Sequence, residues 1–338
     1  MSNFKTTLVV ALCVPVLLLS LSRATPAQSD RRADSQNAAR RALAANNYAF
    51  DEQVFLERIK ERDAAAAKLF IEAGMNPNAR DKDGVTALIR AAYNDQVELV
   101  RLLLDRGAEV NATDTDNWTA LYVAAWNGNA ASAGLLLERG ANPDAKDKLG
   151  MTALIIASAN GRTPVVKALL EKGADANARA KYGWTPLLVA TREGHQEVVK
   201  ALLEARAEVD SPTAAGVTPL MLAAGNGREA IVLLLLRHGA NVEAKTKPGV
   251  TALMFAARGA QSKILQALLE RGAKVNERTI DGSTALMFAA GTGDVASVRA
   301  LLAKGADAKA ADNEGRTALA YAEAAGRSEV IQLLKSPL

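Results

Sequence analysis

The sequence is poor in the residues on which most catalytic, metal and disulfide sites depend. It contains one cysteine and two histidines among 338 residues, and only 4% of its residues are aromatic. A single cysteine cannot form an intramolecular disulfide, and His195 and His238 have no ligand-spaced partner, so neither pattern indicates a metal site. The apolar fraction is nevertheless 49%. Small and aliphatic residues supply most of it, which suits short helices that pack closely.

Recognisable catalytic motifs are also missing. The chain carries no phosphate-binding glycine loop, zinc motif or nucleophile elbow, and Glu57 and Glu61, one helical turn apart, are typical of a solvated face. We therefore expect no enzymatic activity and no cofactor. The net charge is only +4, with basic and acidic residues alternating along the chain. A nucleic-acid-binding protein concentrates its basic residues in a stripe, so we expect no nucleic-acid partner.

One apolar run stands out at the N-terminus. It extends from Leu8 to Leu21, follows Lys5, and is succeeded by small residues up to Ala27. It is shorter than the roughly 20 residues that span a bilayer, so we predict a cleaved signal peptide over residues 1–27. The protein would then be exported, bacterial, and periplasmic or secreted, with no membrane contact after cleavage. An uncleaved anchor that tethers the protein to a membrane or cell wall is the alternative.

The next two segments precede the regular part of the sequence. Residues 28–47 are polar and rich in alanine and arginine, without apolar periodicity, so we predict a flexible linker. Residues 48–80 have helical apolar spacing and a glycine at Gly74. They lack the turn motif of the units that follow, which predicts an N-terminal capping helix pair.

From residue 81 onward one unit of 33 residues is written eight times without an insertion. A threonine marks each copy: Thr86, Thr119, Thr152, Thr185, Thr218, Thr251, Thr284 and Thr317. Glycine stands two residues before each threonine, except in one copy, where the residue is Asn117. A second series of glycines has the same period and runs from Gly74 to Gly305, with Arg206 in place of one glycine. Residues 81–311 would be seven full repeats and residues 312–338 a C-terminal capping repeat.

The chemistry of one unit predicts an extended turn followed by two antiparallel helices. Thr152 is a good N-cap for a first helix that ends near Gly161. Thr163 and Pro164 repeat the start signal for a second helix, which Gly173 ends as a C-cap. Such a pair cannot bury its apolar face alone, so neighbouring units must stack.

The motif carried by residues 183–190 (Gly-Trp-Thr-Pro-Leu-Leu-Val-Ala) and by residues 169–177 (Leu-Leu-Glu-Lys-Gly-Ala-Asp-Ala-Asn) resembles the ankyrin repeat. The resemblance covers about residues 51–338. It implies a mainly α solenoid of stacked helix-turn-helix units with β-hairpin-like turns, and a protein-interaction function. The sequence departs from the family where histidine usually follows Thr-Pro-Leu. That position holds Ile89, Tyr122, Ile155, Leu188, Met221, Met254, Met287 and Ala320.

The resemblance further implies that a protein partner, of unknown identity, binds a concave side made of turn tips and first-helix ends. We expect this chain to be a monomer. The large side chains at these positions fall in repeats one to four, and we predict that they bind the partner: Tyr93, Trp118, Trp126, Leu149, Met151, Tyr182, Trp184 and Arg192. Tryptophan and tyrosine are enriched in interface hot spots. Repeats five to eight offer Val217, Gly225, Pro248, Val250, Arg258, Ile280, Ser283, Gly291 and Arg316 instead.

Two alternatives remain for these residues. The indoles of Trp118 and Trp184 could serve only to pack on the neighbouring turn. The aromatic residues could instead flank a cleft for a small ligand or a reaction. An enzyme would need converging polar groups beside them, and the sequence places only Arg192, Glu193 and His195 nearby.

Overall fold

The computed structural model describes residues 26–335, which form nineteen α-helices and no β-strand within that range. The helices are α1 Pro26–Ala45, α2 Glu52–Lys60, α3 Ala64–Glu72, α4 Ala87–Tyr93, α5 Val97–Asp105, α6 Ala120–Asn127, α7 Ala130–Glu138, α8 Ala153–Ala159, α9 Thr163–Glu171, α10 Pro186–Glu193, α11 Gln196–Glu204, α12 Pro219–Gly225, α13 Glu229–Arg237, α14 Ala252–Arg258, α15 Ser262–Glu270, α16 Ala285–Thr292, α17 Val295–Ala303, α18 Ala318–Ala324 and α19 Ser328–Lys335. A single 3₁₀ turn, Lys181–Gly183, lies between α9 and α10. The expected helical solenoid is confirmed.

The helices form two layers because each repeat contributes a first helix and a second helix. First helices contact the next first helix along the chain, as α4 contacts α6, and second helices do the same, as α5 contacts α7. One buried apolar cluster runs through the stack from Ala39 to Val330. Each repeat therefore depends on its neighbours to cover its apolar face.

The threonine of every repeat caps the first helix, as the sequence predicts. Its hydroxyl oxygen accepts a hydrogen bond from the amide three residues later in all eight copies, at distances between 3.1 and 3.5 Å. A cap of this kind stabilises a helix by about 1 kcal/mol. Three turns also contain an isolated antiparallel bridge that ends at this threonine, for example between Arg80 and Thr86.

Helix α1 occupies the segment for which the sequence predicts a flexible linker. Ala39 and Leu43 are buried, α1 packs against α3, and Arg40 donates a hydrogen bond from Nε to the carbonyl oxygen of Ala73 (3.2 Å). Because only a few side chains of this polar segment are buried, its sequence shows no apolar periodicity that would predict the helix.

The predicted signal peptide lies mainly outside the described residues, which begin at residue 26. Within residues 26–335, no helix combines the length and apolarity needed to cross a bilayer.

Arg206 adopts the left-handed conformation that its position in the repeat requires. Its φ is +62°, whereas the matching glycines Gly173 and Gly239 have φ of +82° and +85°. A side chain in this region is strained by about 1 kcal/mol. The backbone at the junction between repeats four and five is therefore strained, whereas the glycines at the neighbouring junctions adopt the same conformation without strain.

Candidate protein-binding face

The turn tips of successive repeats are joined edge to edge by main-chain hydrogen bonds. The amide of Lys181 donates to the carbonyl of Leu149 (2.9 Å), and the amide of Ala214 donates to the carbonyl of Tyr182 (2.8 Å). Within a tip, Asp147 Oδ1 accepts hydrogen bonds from the amides of Leu149 and Met151, both at 2.8 Å. These bonds fix the backbone of the tip.

A second series of hydrogen bonds joins the ends of the first helices. Arg162 Nε donates to the carbonyl of Trp126 (3.2 Å), and His195 Nε2 lies 3.0 Å from the carbonyl oxygen of Ala159. The His195 ring rests on Gly161, where an added Cβ would come within 2.7 Å of Nδ1. His195 thus links two repeats. We call the surface between the two series the groove face. In each repeat it comprises the five residues before the capping threonine and the third, fourth, seventh and eighth residues after it.

Three aromatic rings cluster on the groove face of repeat two. The Trp118 ring is stacked 5.5 Å from Tyr122 and lies 5.5 Å from Trp126. Tyr122 fills the position where the family usually has histidine, and its hydroxyl donates to Asp147 Oδ2 in the next repeat (3.1 Å). Burial, the charge of Asp147 and this hydrogen bond raise the Tyr122 pKa, so the phenol stays protonated and continues to donate.

A groove of about 380 Å³ lies beside this cluster, between the N-terminal cap and repeat two. Tyr93 and Trp118 form its walls, with Ile89 and Val123 among its apolar residues. At its edge Arg90 pairs with Asp81. Burial alone would raise the Asp81 pKa, but the hydrogen bond and charge of Arg90 and the amide of Val85 together lower it. The Asp81 carboxylate therefore stays charged and holds Arg90 in place.

A second groove, of about 330 Å³, begins at repeat four and is lined by Tyr182, Trp184 and Leu222 among others. The Arg192 guanidinium lies 4.6 Å from the Trp184 ring centroid. Met151 and Trp184 are half-buried against one small apolar cluster, so part of each side chain does pack on its neighbours. Leu149 and Tyr182, by contrast, are 57% and 67% exposed at the tips. The predicted site residues thus form one group around Trp118 and another around Trp184.

Comparison with known protein families identifies the repeats. A family model described as ankyrin repeats (3 copies) matches residues 58–147, 135–213, 207–279 and 274–337. The chain belongs to the ankyrin-repeat family. No curated protein matches the chain. Ankyrin repeats are protein-interaction modules, which places this chain among binding proteins at that level of description.

The ankyrin stack also contains apolar groove residues in its second half that were not predicted from the sequence. Phe255 and Phe288 line a third groove, of about 230 Å³, together with Val217, Pro248 and Arg258. Both phenylalanines stand four residues after a capping threonine. In the other repeats this slot holds Arg90, Val123, Ile156, Val189, Leu222 and Tyr321. Reading that slot at the 33-residue period would have revealed the apolar series.

The polar residues near Trp184 do not converge on a common point. Arg192 Nε pairs with Glu193 Oε1 at 2.7 Å, while His195 is turned toward the carbonyl of Ala159. His238 Nδ1 lies 2.9 Å from the carbonyl oxygen of Leu234 in its own helix. Among the described residues, no group of three histidine, cysteine or acidic side chains is placed to hold a metal ion. Arg192, Glu193 and His195 thus contact neighbouring groups and do not meet as the acid, base and nucleophile of a catalytic site would.

Proposed function

We propose that this ankyrin-repeat protein is a non-catalytic module that holds a protein partner on its groove face, with Trp118, Trp126 and Trp184 as anchors. The two aromatic groups of the groove face, one around Trp118 and one around Trp184, support the proposal. Trp126 is 41% exposed and Tyr93 is 55% exposed, although neither ring is needed to complete the core. Large apolar groups gathered on an exposed surface are typical of binding sites.

The repeat framework itself supports the same proposal. Tyr93 and Trp126 stand seven residues after a capping threonine, where repeats three, five and seven have Ala159, Gly225 and Gly291. Those three repeats retain the same threonine caps. Since the fold accepts small residues in this slot, the repeat framework does not require the large ones, which supports a role for them in contact with a partner.

The proposal extends to location and role. Export by the N-terminal segment would place the module in the periplasm or outside the cell, where it would inhibit, stabilise or scaffold another protein. Sequencing the N-terminus of the mature protein tests export. A start near residue 28 supports cleavage, and a start at Met1 contradicts it.

Affinity capture from a periplasmic or secreted extract tests the binding face. We expect the Trp118→Ala/Trp126→Ala/Trp184→Ala variant to lose the proteins that the wild type captures, because a hot-spot residue typically contributes at least about 2 kcal/mol to binding. Leu233→Ala, an exposed change on the second-helix layer, is the control and should capture normally. Circular dichroism of each variant establishes folding. Equal capture by the triple variant and the wild type would show that the aromatic groups are not the site.

A further inference from the structure

The charges on the groove face are sorted by repeat. Repeats four to six carry four basic residues and one acidic residue there: Lys181, Arg192, Lys247 and Arg258 against Glu193. Acidic residues outnumber basic ones on both sides. Repeats one to three have Asp81, Asp83, Asp114, Asp116 and Asp147 against Lys82, Arg90 and Lys148, and repeats seven and eight have Asp281, Asp312 and Glu314 against Arg316. The near-zero total charge hides a basic centre between two acidic ends.

Most acidic groups of the outer repeats are engaged within the protein. Asp81 pairs with Arg90, and Asp116 Oδ1 pairs with Lys148 Nζ at 3.2 Å. Asp312 Oδ2 accepts hydrogen bonds from the Tyr321 hydroxyl at 2.7 Å and from Arg316 Nε at 2.9 Å. These carboxylates hold neighbouring side chains, and their charge is partly balanced within the protein.

The basic centre is less engaged. Lys247 and Arg258 are exposed, and neither forms an ion pair with any acidic side chain of residues 31–335. Lys181 Nζ lies 5.2 Å from the Tyr182 ring centroid, and Arg192 contacts Trp184 and Glu193. Lys247 and Arg258 therefore offer positive charge without an acidic partner among these residues, and Arg192 pairs with Glu193 through Nε while its guanidinium also faces the Trp184 ring.

An apolar floor lies between these cations. The groove at Trp184 and the groove at Phe255 share Ala215 and Val217, so the floor is continuous across repeats four to six. Arg192 and Arg258 occupy the same slot, seven residues after the capping threonine, two repeats apart. Packed helices lie about 8–10 Å apart, which puts these two positions roughly 16–20 Å from each other.

We propose that the partner segment seated on repeats four to six is an extended polypeptide with apolar residues between two carboxylate groups, which contact Arg192 and Arg258. This inference rests on the proposed function and specifies the chemistry of the partner. An extended chain advances about 3.3 Å per residue, so the carboxylates would stand about five or six residues apart. A nucleic acid fits less well, because the acidic ends of the face would repel its phosphates as it continues in either direction.

Defined probes test the proposal without the natural partner. A fluorescein-labelled peptide with a central Leu-Val-Phe-Leu and two glutamates at each end is titrated against the folded protein, alongside glutamine and lysine versions and a ten-nucleotide oligothymidylate. We expect the glutamate peptide to bind at least about tenfold more tightly than the lysine peptide at low salt. The difference should shrink in about 0.5 M salt, because surface charges are then screened within a few ångströms.

Charge reversal gives the second arm. Arg192→Glu/Arg258→Glu should reverse the preference toward the lysine peptide, whereas Arg299→Glu, an exposed change in α17 on the second-helix layer, should leave it unchanged. Equal binding of the three peptides would overturn the inference, as would no binding of the glutamate peptide or tighter binding of the oligonucleotide. The peptides could instead bind equally well whatever their charge, and the triple tryptophan variant could lose that binding. That result would contradict this inference and support the proposed function.

Discussion

In repeat two, Trp126 projects from the groove face and Trp118 is half-buried against the core, and the two rings form a cluster built within a single repeat. In repeat five, the slot of Trp126 is Gly225, and the ring that covers it comes from the next repeat, since a Cβ on Gly225 would lie 3.1 Å from Phe255 Cδ1. The threonine caps and the helix pairs are the same in both places. One framework therefore builds an apolar groove in two ways, either by outward aromatic rings or by a bare backbone on which a neighbouring ring lies.

The difference predicts how each half responds to substitution. Outward rings such as Tyr93 and Trp126 can be removed with limited effect on the stack, so their loss should act mainly on binding. Glycines in the second half let repeats approach one another, so enlarging them should act mainly on stability. Three substitutions, ordered from the largest expected effect to the smallest, test this distinction and two further features of the framework, an inter-repeat hydrogen bond and a strained residue.

Gly259→Ala should lower the free energy of unfolding by about 1–3 kcal/mol, because overpacked sites relax only at that cost. An added Cβ would lie 2.4 Å from the carbonyl oxygen of Gly225, and backbone cannot move aside cheaply. Urea denaturation followed by circular dichroism measures the change. Gly291→Ala is the control, with Tyr321 Cδ1 at 3.9 Å as the nearest neighbour, and it should be neutral or stabilising. Similar losses in both variants would contradict the close-approach argument.

Tyr122→Phe should cost about 1 kcal/mol of stability, since it leaves the half-buried Asp147 carboxylate without one hydrogen bond. The hydroxyl is one of the polar links between repeats two and three, at a slot where repeats five to seven have methionine. Tyr93→Phe, on an exposed ring, should change stability by less than about 0.5 kcal/mol. Thermal unfolding compares the two variants, and an equal effect would mean that the Asp147 link contributes nothing.

Arg206→Gly should stabilise the protein by about 0.5–1 kcal/mol, because glycine adopts a positive φ without strain. The reverse change at the matching position, Gly173→Arg, should destabilise it by about the same amount, since nothing lies within 4 Å of its Cβ position and only the backbone conformation is disturbed. Hydrogen exchange should show the largest gain for Arg206→Gly at the junction of repeats four and five. A gain spread evenly over the chain would argue against local strain.

Local chemistry made much of this structure predictable. The threonine caps, the left-handed position of Arg206 and the paired helices follow from residues that act within a few positions of one another. Helix α1 could not be predicted from the sequence in this way, because Leu43 contacts the core only where α1 packs against α3. The contribution of Phe255 and Phe288 to a groove could not be predicted either. They lie away from the tips and helix ends, in a slot that faces a groove formed only between repeats.

The sequence by itself determined the repeat, its period and its family, because each framework residue acts through the conformation of its own turn or helix. Only the tertiary structure decided what the variable residues form together. Stacking brings residues 33 apart side by side, so Arg192 and Arg258 come to border one apolar floor and His195 becomes a link between helices. Trp118, Tyr122 and Trp126 likewise become a single cluster only when the tip and the first helix are folded against each other.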